Sequence, residues 1–179
     1  MNTKRNARYQ ETEQQIIDAF IHLLNCKTIN NISVSDLCKT GHLSRPTFYA
    51  HYEDINDLIY KIEQEKSKRI KELLILSEAT LHDKFVKYFE FLKENQQFYH
   101  AYFSMESNSS LVNEMMQSYK EKQIADHTYS VTEKYYMHFF KSGIKEIAAE
   151  WLKNDCKESP LFMADLLTDG LSAFIKERM

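Results

Sequence analysis

Apolar residues recur at intervals of three and four positions along most of the chain, which is the spacing of one face of an α-helix. Near the N-terminus, Ile16, Phe20, Leu23 and Leu24 follow this spacing and predict a first helix over about residues 8–25. Glycine and proline, which interrupt helices, occur only three times and twice in 179 residues. The pattern therefore predicts an all-α fold of about nine helices.

Two short helices separated by a tight turn are predicted to follow the first one. Residues 34–40 have the length of two helical turns, Ser33 can cap their first amides, and Gly41 can end them in the left-handed conformation. Ser44 stands where the next N-cap is expected, so the following helix begins at Arg45. A helix, a turn and a second helix predict a helix-turn-helix, which the first helix completes as a three-helix domain.

The second of these short helices carries side chains that suit DNA. Its N-terminal end is the part that enters the major groove in helix-turn-helix proteins. We predict that Thr47 and Tyr49 donate hydroxyl hydrogen bonds to phosphates and that His51 adds one from its ring. Arg45 is predicted to read a base edge, because its forked guanidinium can pair with O6 and N7 of guanine. A solvated helix face is the alternative for each of these residues taken alone.

The remaining candidates lie around this helix and at the start of the chain. Phe48 is predicted to anchor the helix to the core rather than to contact DNA. The basic start of the chain either reaches phosphate or the minor groove, or is a solvated tail. The full set of predicted DNA contacts is Ser33, Ser44, Arg45, Pro46, Thr47, Tyr49, His51, Tyr52, Lys4 and Arg5.

The N-terminal third resembles the DNA-binding domain of TetR-type transcriptional regulators. The residues that carry the resemblance are Thr12, Ile16, Ala19, Phe20, Leu23, Val34, Leu37, Gly41, Leu43, Ser44, Thr47, Phe48, Tyr49, His51, Tyr52 and Leu58. Residues 45–55 are similar to a Firmicutes-type subgroup, as are 139–144, 151–152 and 158–160. The resemblance implies DNA contacts at Ser44, Thr47, Tyr49 and His51. Two positions depart from the family, since Ile55 replaces a frequent phosphate-binding lysine and Lys27 replaces a frequent glycine.

The charge of the chain is unevenly distributed. Residues 1–52 carry six Lys or Arg and four Asp or Glu, whereas the whole chain has a net charge of −3. A mildly basic head on an acidic body suits a protein that places its head on DNA. The mild charge and the absence of the usual lysine at position 55 predict a shallow dependence of DNA affinity on salt.

A second domain is predicted after the helix-turn-helix. Ile55, Leu58, Ile59 and Ile62 begin a long fourth helix, and the chain from about residue 78 then forms five more helices. Breaks are expected near 94–96, 107–110, 126–130 and 154–160, with Ser159 as an N-cap and Pro160 at the first helical position. We therefore divide the chain into a DNA-binding domain, 1–58, and an effector-binding and dimerisation domain, 59–179.

Aromatic and methionine side chains are concentrated in the first part of this body. At helical spacing they are usually core, but buried tyrosine hydroxyls need partners, and the family resemblance implies an effector pocket between these helices. The predicted pocket residues are Phe85, Tyr88, Phe89, Tyr99, Tyr102, Phe103, Met115, Met116, Tyr119 and Tyr136. A filled core and a small-molecule cavity both remain open as interpretations.

The last two helices each carry a continuous apolar stripe. The resemblance implies that they pair with the same helices of a second copy in a four-helix interface, and the alternative is an intramolecular core. The predicted interface residues are Phe140, Ile144, Ile147, Trp151, Ala164, Leu167, Leu171 and Phe174.

Other classes of protein find little support. The sequence has no glycine-rich phosphate loop, no G-x-S-x-G and no H-E-x-x-H, so neither an enzyme nor a metal or cofactor site is predicted. Cys26, Cys38 and Cys156 show no C-x-x-C spacing and indicate a reducing compartment. No apolar run approaches the roughly 18 residues that span a bilayer, and no signal core follows the polar start. A cytoplasmic protein is expected.

These features predict a homodimeric, effector-responsive DNA-binding regulator, in the first instance a repressor that binds a pseudo-palindromic operator. The alternative is a transcriptional coactivator that acts mainly through a protein partner.

Overall fold

The computed structural model describes residues 3–75, 80–105 and 131–176, and in these ranges the chain forms eight α-helices and one 3-10 turn. The helices are α1 (Thr3–Leu24), α2 (Val34–Thr40), α3 (Arg45–Tyr49), α4 (Ile55–Ile75), α5 (Leu81–Glu94), α6 (Gln96–Ser104), α7 (Val131–Lys153) and α8 (Pro160–Lys176), with the 3-10 turn at Ile29–Asn31. The predicted all-α fold is confirmed. The helix expected between about residues 110 and 126 lies outside the described residues.

The chain divides into two compact units, residues 1–65 and 66–179, and the division falls within α4. In the first unit, α1 lies against α2, and α2 against α3. The core side chains come from all four helices because each presents apolar residues at helical spacing. Fully buried members of this core are Ile16, Phe20, Leu37, Phe48 and Leu58. The prediction that Phe48 anchors its helix is confirmed.

The first helix begins earlier than the sequence predicted. It starts at Thr3 rather than near residue 8, so Lys4 and Arg5 belong to its first turn and not to an extended arm. Residues 3–8 contain neither glycine nor proline, and lysine, arginine and alanine are good helix formers. The helix therefore extends to the start of the described chain.

The turn between α2 and α3 corrects the role predicted for Gly41. Gly41 has φ −84° and ψ 3°, whereas the left-handed residue is His42, with φ 50°. A Cβ at Gly41 would lie 3.1 Å from the Ala19 Cβ and 3.3 Å from the Leu37 carbonyl oxygen. The lack of a side chain at Gly41 thus permits the close approach of α1 to the turn. The side-chain amide of Gln15, on α1, donates to the Gly41 carbonyl at 2.8 Å.

In the second unit, α5 packs extensively against α8, and α6 packs against α7. The aromatic residues of α5 and α6 form what we call the aromatic core, which consists of Phe85, Tyr88, Phe89, Phe98, Tyr99 and Tyr102, all buried. The rings contact one another closely, as where Phe98 and Tyr102 stack with centroids 5.4 Å apart. Five predicted pocket residues, Phe85, Tyr88, Phe89, Tyr99 and Tyr102, are therefore core residues. Met115, Met116 and Tyr119 lie outside the described residues, and Tyr136 is half-buried.

The predicted dimer stripe is also corrected. Ile144, Trp151, Ala164 and Leu167 are buried within the protomer, and Trp151 meets the Phe89 ring edge-on at 5.2 Å. Because α7 packs against α6 and α8 against α5, these apolar positions belong to the core of the second unit. Phe140 and Ile147 are half-buried, and the side chains of Leu171 and Phe174 lie outside the described residues. Between residues 160 and 170 of α8, the large apolar side chains that remain exposed are Leu161, Phe162 and Leu166, at 55%, 52% and 49%.

The connection between the last two helices has the capping that the sequence predicted. The Ser159 hydroxyl accepts a hydrogen bond from the Phe162 amide at 3.1 Å, and Pro160 is the first residue of α8. Within the described ranges, no helix combines the length and the apolar character needed to cross a membrane.

Candidate nucleic-acid interface

The start of α2 is fixed by a reciprocal cap. The Ser33 hydroxyl accepts from the Asp36 amide at 3.2 Å, while the Ser33 amide donates to the Asp36 carboxylate at 3.1 Å. Lys27 forms an ion pair with the same carboxylate at 2.7 Å. Together Lys27 and Ser33 hold the pKa of Asp36 well below its ordinary range. The predicted DNA contact Ser33 is exposed, but its hydroxyl already serves the cap.

The start of α3 is capped in the predicted way. Ser44 has extended backbone angles, φ −82° and ψ 151°, and its hydroxyl accepts from the Thr47 amide at 3.2 Å. The hydroxyls of Ser44 and Thr47 lie 2.7 Å apart, so one donates to the other. Pro46 lies in the first turn of α3. Its missing N–H is not costly there, because the amides of the first turn have no helical carbonyl to bond. Ser44, Arg45 and Pro46 are all exposed, which leaves this end of the helix accessible.

Arg45 links the two short helices. Its Nη2 donates to the Ser35 hydroxyl at 3.2 Å, across the turn from α3 to α2. Both side chains are exposed. Because a guanidinium has five N–H donors, this bond holds the side chain over α2 and leaves donors for a base edge.

Two neighbouring aromatics of α3 differ sharply in exposure. Tyr49 is 56% exposed, whereas Phe48 is fully buried beneath it, with the two rings in edge contact at 5.5 Å. The Tyr49 hydroxyl is thus carried on a ring supported by the core. This is the arrangement expected of a side chain that donates to a phosphate.

His51 follows α3 and is held by contacts that the sequence did not reveal. Its ring stacks on Tyr9 of α1 with centroids 3.9 Å apart and planes inclined by 24°. Lys61 of α4 donates to the His51 carbonyl at 3.2 Å and to the Asp57 carboxylate at 2.8 Å. The hydrogen bond between Lys61 and Asp57 lowers the pKa of Asp57 and raises the pKa of Lys61. Tyr9 and Lys61 are too distant in sequence from His51 for spacing to indicate either contact.

Tyr52 does not belong to the surface. It is only 3% exposed, its ring lies 5.8 Å from that of Phe48, and its hydroxyl donates to Glu13 at 3.4 Å. Burial, and then the Glu13 carboxylate, raise the pKa of this hydroxyl. Tyr52 lies just after α3, and its amide donates to the Phe48 carbonyl at 3.0 Å. Because its ring is buried beside Phe48, we correct its predicted DNA contact to a core position.

A short capped helix, a tight turn and a second capped helix, supported by α1, define a helix-turn-helix protein. Residues 79–172, just over half of the chain, match a TetR-type family described as "Transcriptional regulator C-terminal region". The chain belongs to the TetR-type family of transcriptional regulators.

Similarity to individual proteins agrees with this membership. The HTH-type transcriptional regulator AcrR of Shigella flexneri is 29% identical over 73 residues, which cover 41% of this chain and 34% of that protein. The match thus spans about a third of the length of that relative.

Two solved structures share the fold over nearly the whole chain. The dihydroxyacetone kinase operon activator DhaS is 23% identical, with 92% of this chain and 96% of that chain covered and a TM-score of 0.61. A TetR transcriptional regulator from Streptococcus agalactiae is 18% identical, with 93% and 97% covered and a TM-score of 0.67.

Proposed function

We propose that the protein is an effector-responsive repressor that binds a pseudo-palindromic operator as a homodimer. The observation that supports this function best is the capped start of α3, where Ser44, Arg45 and Thr47 lie together at an accessible helix end. Two such ends in a dimer would enter successive major grooves about 34 to 36 Å apart.

The contacts divide into two kinds. Thr47, Tyr49 and His51 donate to phosphates and fix the position of the head, and Arg45 reads a base edge. Tyr49 suits the first role because its ring is exposed above buried Phe48. Lys4 and Arg5, in the first turn of α1, add positive charge near the head.

The second copy is proposed to pack against the exposed apolar face of α8. Leu161, Phe162 and Leu166 are about half exposed on a helix whose other side is buried against α5. Neighbouring large apolar side chains on one exposed face are typical of protein interfaces. Phe139 is a large apolar side chain that α7 also leaves exposed.

The effector is proposed to enter a groove between α6 and α7 rather than the aromatic core. This groove has a volume of about 470 Å³ and is lined by His100, Phe103, Ser104, Glu146, Ala149, Glu150 and Lys153. Among the predicted pocket residues that the structure describes, Phe103 lines this groove. A ligand that favours one arrangement of the dimer would shift DNA affinity, typically through about 1 to 3 kcal/mol of coupling.

Selection of bound sequences from a random DNA pool, followed by fluorescence anisotropy on the selected site, tests DNA binding. Tyr49→Phe should weaken binding by about three- to tenfold, since one hydrogen bond to a phosphate is lost. Tyr60→Phe, a matched control at a tyrosine exposed on α4, should leave affinity unchanged. Failure of the wild-type protein to enrich any sequence would overturn the operator-binding function.

A coactivator that acts through a protein partner is the second candidate, and the start of α4 favours it. Exposed Glu53 and Asp54 immediately precede Ile55, which stands where many family members have a lysine. Asp54 caps the helix by accepting from the Asp57 amide at 2.8 Å. These carboxylates repel phosphate. The related DhaS carries the name of an activator. DNA affinity that appears only on addition of a cell extract, and not with the purified protein, would favour this candidate.

A further inference from the structure

One nitrogen of the His51 ring is enclosed. Nδ1 is buried and has no hydrogen-bond partner among the described residues. The residue as a whole is half-buried. Its exposed part therefore does not include Nδ1.

Tyr9 is the residue whose ring covers the imidazole. The two rings stack at 3.9 Å, and Tyr9 is itself 45% exposed at the rim of the interface. The backbone of His51 is held separately, because Lys61 donates to its carbonyl. Loss of the Tyr9 ring would thus free the imidazole without releasing the main chain.

Burial of Nδ1 has a consequence for the proton on the ring. A neutral imidazole has one N–H donor and one acceptor nitrogen. A proton on Nδ1 would leave a buried donor without an acceptor, which is costly, while an unbonded acceptor nitrogen is tolerated better. This cost favours the tautomer that carries its proton on Nε2.

We infer that Tyr9 is a positioning residue of the DNA interface, which fixes His51 as an Nε2–H donor by stacking on its ring and covering Nδ1. The inference rests on the proposed contact between His51 and a phosphate. Tyr9 itself need not touch DNA, and its hydroxyl is dispensable, because the ring alone makes the stack.

The state of the imidazole can be measured in the full-length protein without DNA. Long-range ¹H–¹⁵N correlation spectra at about pH 8.5, where histidine rings are neutral, should show a protonated Nε2 and a bare Nδ1 in the wild type. Tyr9→Phe should give the same spectrum, and Tyr9→Ala should shift both nitrogens toward a mixture of tautomers. An unchanged spectrum in Tyr9→Ala would overturn the inference, whether or not His51 contacts DNA.

DNA affinity provides the second readout. Tyr9→Ala should weaken binding by about three- to tenfold, as expected for a misplaced hydrogen bond, and Tyr9→Phe should match the wild type. In a His51→Ala background, Tyr9→Ala should have no further effect. An equal loss in both backgrounds, or a loss in Tyr9→Phe, would show that Tyr9 binds DNA directly and would refute the positioning role.

The same set of variants separates this inference from the proposed function. If His51→Ala binds DNA as well as the wild type, the phosphate contact of His51 is wrong, and the spectra alone then decide the role of Tyr9. Thermal unfolding of Tyr9→Ala confirms that the fold is retained, as expected for a side chain that is nearly half exposed.

Discussion

Trp151 donates its indole N–H to the main-chain carbonyl of Glu158 at 3.2 Å, and this bond ties the end of α7 to the loop that leads into α8. The same indole packs edge-on against Phe89 of α5. Trp151 therefore joins three elements of one protomer, and its loss should affect folding before it affects dimerisation.

Trp151→Ala is expected to lower the free energy of unfolding by about 3 to 5 kcal/mol, because a buried indole leaves a large cavity. Trp151→Phe keeps a ring against Phe89 and should cost less. Urea unfolding followed by circular dichroism measures both. A stable, monomeric Trp151→Ala protein would instead place this residue at the dimer interface.

The exposed face of α8 should control assembly. Leu166→Glu places a charge among Phe162 and Leu161 and is expected to give monomers in sedimentation velocity, since an unpaired carboxylate is costly to bury in an apolar interface. Lys157→Glu, in the exposed loop before α8, is the control and should leave the dimer intact. A dimeric Leu166→Glu protein would move the interface to another surface.

Arg45→Ala should weaken binding to the selected DNA site by about 1 to 3 kcal/mol and relax the preference at one base position. Arg45→Lys keeps the positive charge but loses the forked guanidinium. It should therefore retain the salt dependence of DNA affinity and still lose the base preference. Ser35→Ala removes only the hydroxyl that accepts from Arg45 and should have a smaller effect. Anisotropy titrations on sites with each base at that position test these expectations, and an unchanged base preference in Arg45→Ala would exclude the base-reading role.

The cap of α2 should make stability depend on pH. Lys27 and Ser33 lower the pKa of Asp36 from its ordinary value of 3.8. The folded state thus binds this proton less readily than the unfolded state, and the contribution of Asp36 is full above its unfolded pKa and lost as pH falls through its folded pKa. The difference in unfolding free energy between the wild type and Asp36→Asn should therefore shrink as the pH falls below about 4. Urea titrations from pH 7 to pH 2 measure it, and a constant difference would contradict this role of the carboxylate.

Tyr88 provides a test of the aromatic core. Its hydroxyl is buried without a hydrogen-bond partner among the described residues, and burial raises its pKa. Tyr88→Phe should therefore be neutral or stabilising, by up to about 1 kcal/mol, because an unsatisfied hydroxyl is removed. A clear loss of stability in thermal unfolding would indicate that a ligand or water satisfies this hydroxyl and that a cavity lies beside it.

The features that depend on near neighbours in sequence were predicted well. Ser33 and Ser44 cap α2 and α3 as expected, because an N-cap bonds an amide only two or three residues away. The sequence correctly places Gly41 in the turn, but the predicted reason for a glycine there, a left-handed backbone, is wrong. Its backbone is unstrained, and the need for glycine comes from Ala19 on another helix, which local sequence does not indicate.

The sequence by itself determined the all-α fold and the helix-turn-helix, since helical spacing, caps and turn residues act over a few positions, and it also carried the resemblance to the family. Only the tertiary structure decided what the apolar face of each helix packs against. Trp151 and Ala164 are buried by α5 and its neighbours rather than by a second copy, because spacing shows that a helix has an apolar face but not what covers it. The stack of Tyr9 on His51 depends in the same way on packing between helices that are distant in sequence.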